Sequence, residues 1–337
     1  MTMEEQKNHR LTAGEIAREL GISATTVSRA LSGKGRVSRE TRERVAACAG
    51  RMGYAASGAD SLLDRHCTNN LALVIPSHFV RLDLPFLRKC MGAVCRMAAQ
   101  REYDVLMCYA DERNTEQLRR QLAARKVDGV ILSRTLTEDP CLDLVRQYGV
   151  PYVGIGRLED RTALQADNDQ VDAARELTRL LLQMGIRRIA YLGNRYKYTV
   201  NVDRMLGFRQ ALEDYGMAVD ESMIFSNVES EEGRRDALEA ALEQKPEGLL
   251  CGDDSLAFSV LKDLRQRKIS VPDDIRLASL YDSEILLDTD PTVTAVQFDA
   301  DLLGATACRM LLDSMSGRDI PHRTVLGHQV ILRESTK

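Results

Sequence analysis

The stretch Leu11-Thr-Ala-Gly-Glu-Ile-Ala-Arg-Glu-Leu-Gly-Ile-Ser-Ala-Thr-Thr-Val-Ser-Arg-Ala-Leu-Ser32 reads as two short helices around a glycine. Thr12 and Glu15 have the spacing of a capping box, so a helix is expected from Ala13. Ile16, Ala17 and Leu20 share one of its faces. Gly21 ends it, because glycine tolerates the left-handed backbone of a tight turn. Ser23 caps a second helix, from Ala24 to about Leu31, with Val27, Ala30 and Leu31 inward. Further on, Ser38 caps a third, running to about Met52, with Val45, Ala49 and Met52 on its apolar face and Gly53 as the stop.

Helix, glycine turn, helix is the arrangement that places its second helix in the major groove of DNA. The outward residues of that helix are Ala24, Thr25, Ser28 and Arg29. Arg29 suits a bidentate contact to guanine, and Ala24 and Thr25 suit a thymine methyl or a base edge. Ser23, Thr26, Ser28, Lys34, Arg36 and Thr41 are expected at phosphates, which fix register without reading sequence, and Thr12 is a further DNA-binding candidate.

Charge supports the division. The 337 residues carry 46 Lys and Arg against 50 Asp and Glu, a net charge of −4. Within residues 1–53 the balance is ten basic to six acidic, so a basic head is joined to an acidic body. The longest apolar runs are too short to cross a bilayer. Residues 1–10 are polar, which predicts a cytoplasmic protein. The eight cysteines form no C-x-x-C pair and read as small buried hydrophobes in a reducing compartment.

From residue 70 onward, apolar strand-like runs alternate with amphipathic helical segments. Strands are expected at 71–75, 104–108, 129–133, 152–155 and 188–193, and helices at 86–100, 116–125, 141–148 and 171–184. Repeated β–α units predict parallel sheet with helices on both faces. So much chain exceeds one sheet of ordinary size, and two lobes are expected, with ligand between them at the carboxyl ends of the strands.

The opening stretch, together with Val37-Ser-Arg-Glu-Thr-Arg-Glu-Arg-Val45 and Met52-Gly-Tyr54, closely resembles the head of the lactose-repressor/galactose-repressor (LacI/GalR) family of transcriptional regulators. The resemblance continues through Lys126-Val-Asp-Gly-Val-Ile-Leu132, Ala166-Asp-Asn168, Met184-Gly-Ile-Arg-Arg-Ile-Ala190, Arg204-Met-Leu-Gly-Phe208, Val271-Pro-Asp-Asp-Ile275 and Leu332-Arg-Glu-Ser-Thr336, and so spans essentially the whole chain. It implies an all-α helix-turn-helix head (1–54), a hinge (55–69) and an α/β sensor domain (70–337). The sensor would have two lobes built on parallel doubly wound sheets, like the periplasmic sugar-binding proteins. Lobe one would take roughly 70–165 and 297–328, and lobe two roughly 166–296 and the last few residues.

The resemblance further implies a homodimer on a pseudo-palindromic double-stranded DNA operator, acting as a repressor controlled by a small-molecule effector of the carbohydrate class. Arg204 takes the family position that contacts sugar hydroxyls or a carboxylate, and a planar fork of donors suits either. Asp282 matches an aspartate that accepts from ligand hydroxyls. Asp253 stands where the family usually has Asn, with ligand contact and a structural turn equally open. Asp254 reads as structural.

The sequence also departs from the family. Gly156 replaces a frequent Asp, Val228 a stacking aromatic, Phe298 a polar contact and Leu280 a usual Gly. His78, Phe79 and Arg81 are unusual and are expected near the cleft. In the hinge, Leu63 keeps the leucine that wedges into the minor groove. Asp60, however, sets a negative charge toward DNA, and Gly58 lowers helix propensity by up to ~1 kcal/mol.

Two other functional classes can be set against the residues. An enzyme is not expected, because Gly252-Asp-Asp-Ser255 is accompanied by no G-x-S-x-G, P-loop or H-E-x-x-H. The five histidines form no ligand-spaced pair, so neither metal nor cofactor is expected. The second is a cytoplasmic small-molecule sensor with weak or lost operator specificity, without catalysis, which the altered hinge keeps open.

Overall fold

The computed structural model describes residues 13–31, 37–51, 67–76, 85–228 and 230–337. The chain divides into two compact units, Met1–Thr68 and Asn69–Lys337.

In the first unit, α1 (Ala13–Leu20), α2 (Ala24–Leu31) and α3 (Arg39–Arg51) follow the expected boundaries closely. Gly21 has φ +65°, so the tight turn does use the left-handed region. Ser23 Oγ accepts from the Thr26 amide at 3.0 Å, and Ser38 Oγ from the Thr41 amide at 3.1 Å, so each serine satisfies an N–H that the helix leaves orphaned. The three helices close on Ile16, Val27, Val45 and Cys48, all fully buried. Cys48 extends the α3 apolar face beyond the residues read from sequence.

The second unit begins with β1 (Asn70–Ile75), α4 (Pro85–Ala99), β2 (Asp104–Tyr109), α5 (Glu116–Ala123), β3 (Gly129–Leu132), α6 (Pro140–Tyr148), β4 (Tyr152–Ile155) and β5 (Leu164–Asn168). There follow α7 (Gln170–Gln183), β6 (Ile189–Leu192), α8 (Thr199–Asp214), β7 (Ile224–Phe225), α9 (Glu231–Glu243), β8 (Gly248–Cys251), α10 (Asp254–Gln266), β9 (Arg276–Ser279), α11 (Glu284–Leu287) and β10 (Thr294–Phe298). The last elements are α12 (Ala300–Met315), β11 (Arg323–Leu326) and β12 (His328–Ile331).

The strands form two six-stranded sheets, ordered β11-β5-β4-β3-β1-β2 and β12-β10-β9-β8-β6-β7. Pairing is parallel except for the edge strand β12, which runs antiparallel to β10. Both sheets are covered on both faces, which explains why their strands read as continuous apolar runs. In β1, Leu71, Leu73 and Ile75 pack with α4 and α12, and the alternate Ala72 and Val74 pack with α5 and α6. In β6, Ala190 and Leu192 face α9 and α10, and Ile189 and Tyr191 face α7 and α8.

The chain passes between the lobes at Asp169, Asp299 and Gly327, so β5 belongs wholly to the first lobe and β10 to the second. The boundaries taken from resemblance fall a few residues short of the first two crossings. Asp169 and Asp299 cap the helices they enter, accepting from the amides of Asp172 and Leu302 at 2.9 and 2.8 Å. Among the described residues no helix is long and apolar enough to cross a membrane.

Candidate functional site

In the sensor unit, a cleft opens at the carboxyl ends of both sheets, where ligands sit in doubly wound folds. It holds about 1020 Å³ of non-atom space, its open mouth included. Pro76 follows β1, Ser133 follows β3, Gly156 follows β4 and Asp253 follows β8. Each strand therefore delivers the first or second residue after its end to the same place.

Among the lining residues are Arg204, Asp253 and Phe298, three of those singled out from the sequence. Arg204 stands on α8, where Nε donates to Gln170 Oε1 at 2.9 Å and Nη1 to the Gly252 carbonyl at 2.6 Å. Its hydrogen-bonded acceptors are thus uncharged. Burial lowers its pKa from the ordinary guanidinium value, against the attraction of Asp253. Asp253 caps α10, accepting from the Leu256 amide at 2.9 Å and from Asn194 Nδ2 at 2.5 Å. Phe298 forms an aromatic wall with Tyr281, stacked at 6.3 Å, while Phe86 meets Tyr281 edge-on at 5.7 Å.

Asp282 departs from its expected place. It is absent from the cleft lining and is 4% exposed, in a bidentate pair with Arg333 at 2.7 and 2.6 Å. Both carboxylate oxygens are taken by one guanidinium fork, which also donates to the Val293 carbonyl at 2.7 Å. The pair ties the segment after β12 to the end of β9.

The cleft also holds polar groups that sequence reading did not assign to a ligand, among them Asp254, which reads there as structural. Ser133 Oγ, Asn168 Oδ1 and Asp254 Oδ2 are buried and make no hydrogen bond of good geometry within the protein, the Ser283 hydroxyl lying beside the Asp254 carboxyl. All three residues line the cleft. A buried polar atom without a partner costs roughly 1–3 kcal/mol, so three in one cavity mark a place built for a polar occupant. Asp254 carries a pKa pushed up to about 6, by burial first and by neighbouring Asp253 second. Asp167 is likewise raised to about 6 by burial, although Arg323 pairs with it at 2.9 Å. Arg157 grips both oxygens of Asp203 at 3.0 Å. The set offers acceptors, guanidinium donors and an apolar wall to a single ligand.

In the head, Ala24, Thr25 and Arg29 are exposed on the α2 face opposite Val27. Ser23 and Thr26 share a hydroxyl–hydroxyl hydrogen bond of 2.8 Å, and Ser38 and Thr41 one of 2.7 Å. Thr12, Lys34, Arg36, Leu63, His78 and Phe79 lie outside the described residues, as do the side chain of Ser28 and the hinge positions Gly58 and Asp60.

Comparison with known proteins accounts for both units. Residues 12–57 match the bacterial regulatory proteins of the lacI family, and residues 178–336 match the periplasmic binding protein-like domain. The chain is 28% identical to the HTH-type transcriptional regulator CelR of Thermobifida fusca over 98% of its own length and 99% of that protein. It is 28% identical to the HTH-type transcriptional regulator DegA of Bacillus subtilis over 96% and 98%. The solved structure of a transcriptional regulator CelR–cellobiose complex superposes with a TM-score of 0.75 at 27% identity, covering 97% of this chain and 100% of that one. A lacI-type head, a periplasmic-binding-protein-like sensor and relatives that match both along their full length place this chain in the lacI family of DNA-binding transcriptional regulators.

Proposed function

We propose that this regulator is a homodimeric repressor of a pseudo-palindromic operator, released or recruited by a carbohydrate bound in the cleft between its lobes. The observation that carries the effector class is the trio of unpartnered buried atoms, Ser133 Oγ, Asn168 Oδ1 and Asp254 Oδ2. A polyhydroxyl ligand supplies donors to all three, accepts from the Arg204 guanidinium, and lays an apolar ring face on Phe298 and Tyr281. The cellobiose complex of the CelR neighbour supports the same class.

In this reading α2 enters the major groove, with Arg29, Thr25 and Ala24 at base edges. Ser23, Thr26, Ser28 and Thr41 meet phosphates, as do Thr12, Lys34 and Arg36, and Leu63 wedges the minor groove at the dyad. Two heads then sit about 34–36 Å apart in successive major grooves. Asp253 and Arg204 define one side of the ligand, and His78 and Phe79 are further contacts in this reading.

The test is selection of bound fragments from random-sequence DNA by the full-length protein, followed by titration of the complex with cellobiose and a panel of mono- and disaccharides. An inverted repeat, with binding changed at least tenfold by one sugar, is the expected result. Salt-sensitive binding without a shared sequence would favour a sensor lacking operator specificity. An inverted repeat indifferent to every sugar would remove the carbohydrate.

A further inference from the structure

Two loops meet across the mouth of the cleft, residues 134–137 after β3 in the first lobe and 197–199 before α8 in the second. Leu136 and Tyr198 pair as an antiparallel bridge. Beside it the Thr137 amide donates to the Lys197 carbonyl at 2.9 Å, and the Thr199 amide donates to the Thr135 carbonyl at 3.2 Å. The Thr135 and Thr199 hydroxyls are 2.5 Å apart and almost wholly buried. Lys197 pairs with Glu112 at 2.6 Å, and the Arg134 guanidinium lies 4.7 Å over the Tyr198 ring. Every one of these contacts joins one lobe to the other through protein atoms.

Gly156 belongs to the same construction. Its φ is +111°, and a Cβ there would lie 2.6 Å from Thr135 Oγ1, the hydroxyl that meets Thr199. The glycine therefore leaves the space in which the threonine pair forms.

We infer that Thr135 and Thr199, admitted by Gly156 and flanked by the Leu136–Tyr198 bridge, form a latch between the lobes that sets how readily the cleft closes. The inference rests on the ligand-cleft reading above, and it assigns Thr135 and Thr199 as positioning residues. A ligand that requires the closed cleft has its apparent affinity scaled by the fraction of molecules closed. Contacts that favour closure raise that fraction without touching the ligand, and so set the concentration at which the regulator responds.

The test is hydrogen exchange by mass spectrometry on the full-length protein, with neither sugar nor DNA added, so failure of the carbohydrate reading leaves it intact. The informative amides are Thr137 and Thr199, whose acceptors lie in the opposite lobe. In the wild type they are expected to exchange at least tenfold more slowly than in the Thr135→Val/Thr199→Val double variant or in Gly156→Ala. Exchange in the β8 core should be unchanged, which separates loss of the latch from general loosening. Should Gly156→Ala fail to fold, the valine pair carries the comparison. Wild-type amides exchanging at the rate of open chain, or equal protection in the wild type and the valine pair, would overturn the latch.

Discussion

Asp254 shows how one buried carboxylate joins stability to recognition. Its pKa stands at about 6 in the folded protein against an ordinary 3.8, because burial and Asp253 both oppose the charge. The folded state therefore holds the proton more tightly than the unfolded chain. Stability from this group is complete below about pH 4, declines as pH rises toward 6, and stays lost above that. The difference corresponds to about 3 kcal/mol. Asp254→Asn, neutral at every pH, is expected to raise stability, read from the urea midpoint, by up to that amount at pH 7.5 and to leave it nearly unchanged at pH 3.5. Equal effects at both values would show that the carboxyl does not titrate in this environment. The variant also exchanges an acceptor for a donor at the ligand, so sugar response should weaken while stability rises, the trade expected of a functional site.

Among the elements, α7 and α8 approach closely at Gly207. A Cβ on Gly207 would lie 2.1 Å from the Val171 carbonyl oxygen and 2.9 Å from the Ala174 Cβ. Backbone, rather than a flexible side chain, stands in the way. Gly207→Ala is expected to lower stability by about 1–3 kcal/mol, read from the urea midpoint. An unshifted midpoint would mean that the two helices can separate at no cost. At this scale the sequence was an able guide, because elements follow from periodicity and caps, both local. The serines before α2 and α3 and the glycine after α1 are legible in a few residues each. The cleft was legible only in part. Arg204, Asp253 and Phe298 could be brought to it because each stands at a position that the family resemblance marks. Asp282 reads as a ligand contact by its match to the family, and its pairing with Arg333, 51 residues further along, is announced by no local pattern. Ser133 and Asn168 were passed over for a different reason. What distinguishes them is a hydrogen bond not made, and that is a property of three dimensions.

For the whole molecule, the two lobes are linked by three crossings, at Asp169, Asp299 and Gly327, so any change in their angle is taken up at a few residues. Coupling between cleft and head must then be reciprocal: a sugar that changes operator affinity by a given factor has its own affinity changed by the operator by the same factor. Calorimetric titration of that sugar into free protein and into the protein–operator complex should give matching ratios, and unequal ratios would point to a third state or a second sugar site. The crossings have a further consequence, for synthesis. One edge strand of the first sheet is β11 and one of the second is β12, both drawn from the far end of the chain. Ser335 and Thr336 are buried as well, with Ser335 Oγ donating to the Leu277 carbonyl at 2.6 Å. On the ribosome, the three-helix head emerges with all its core residues hundreds of codons before either sheet can be finished. A chain interrupted between α3 and β11 carries the three helices of the head and no complete sensor, so it lacks the finished cleft through which an effector would act.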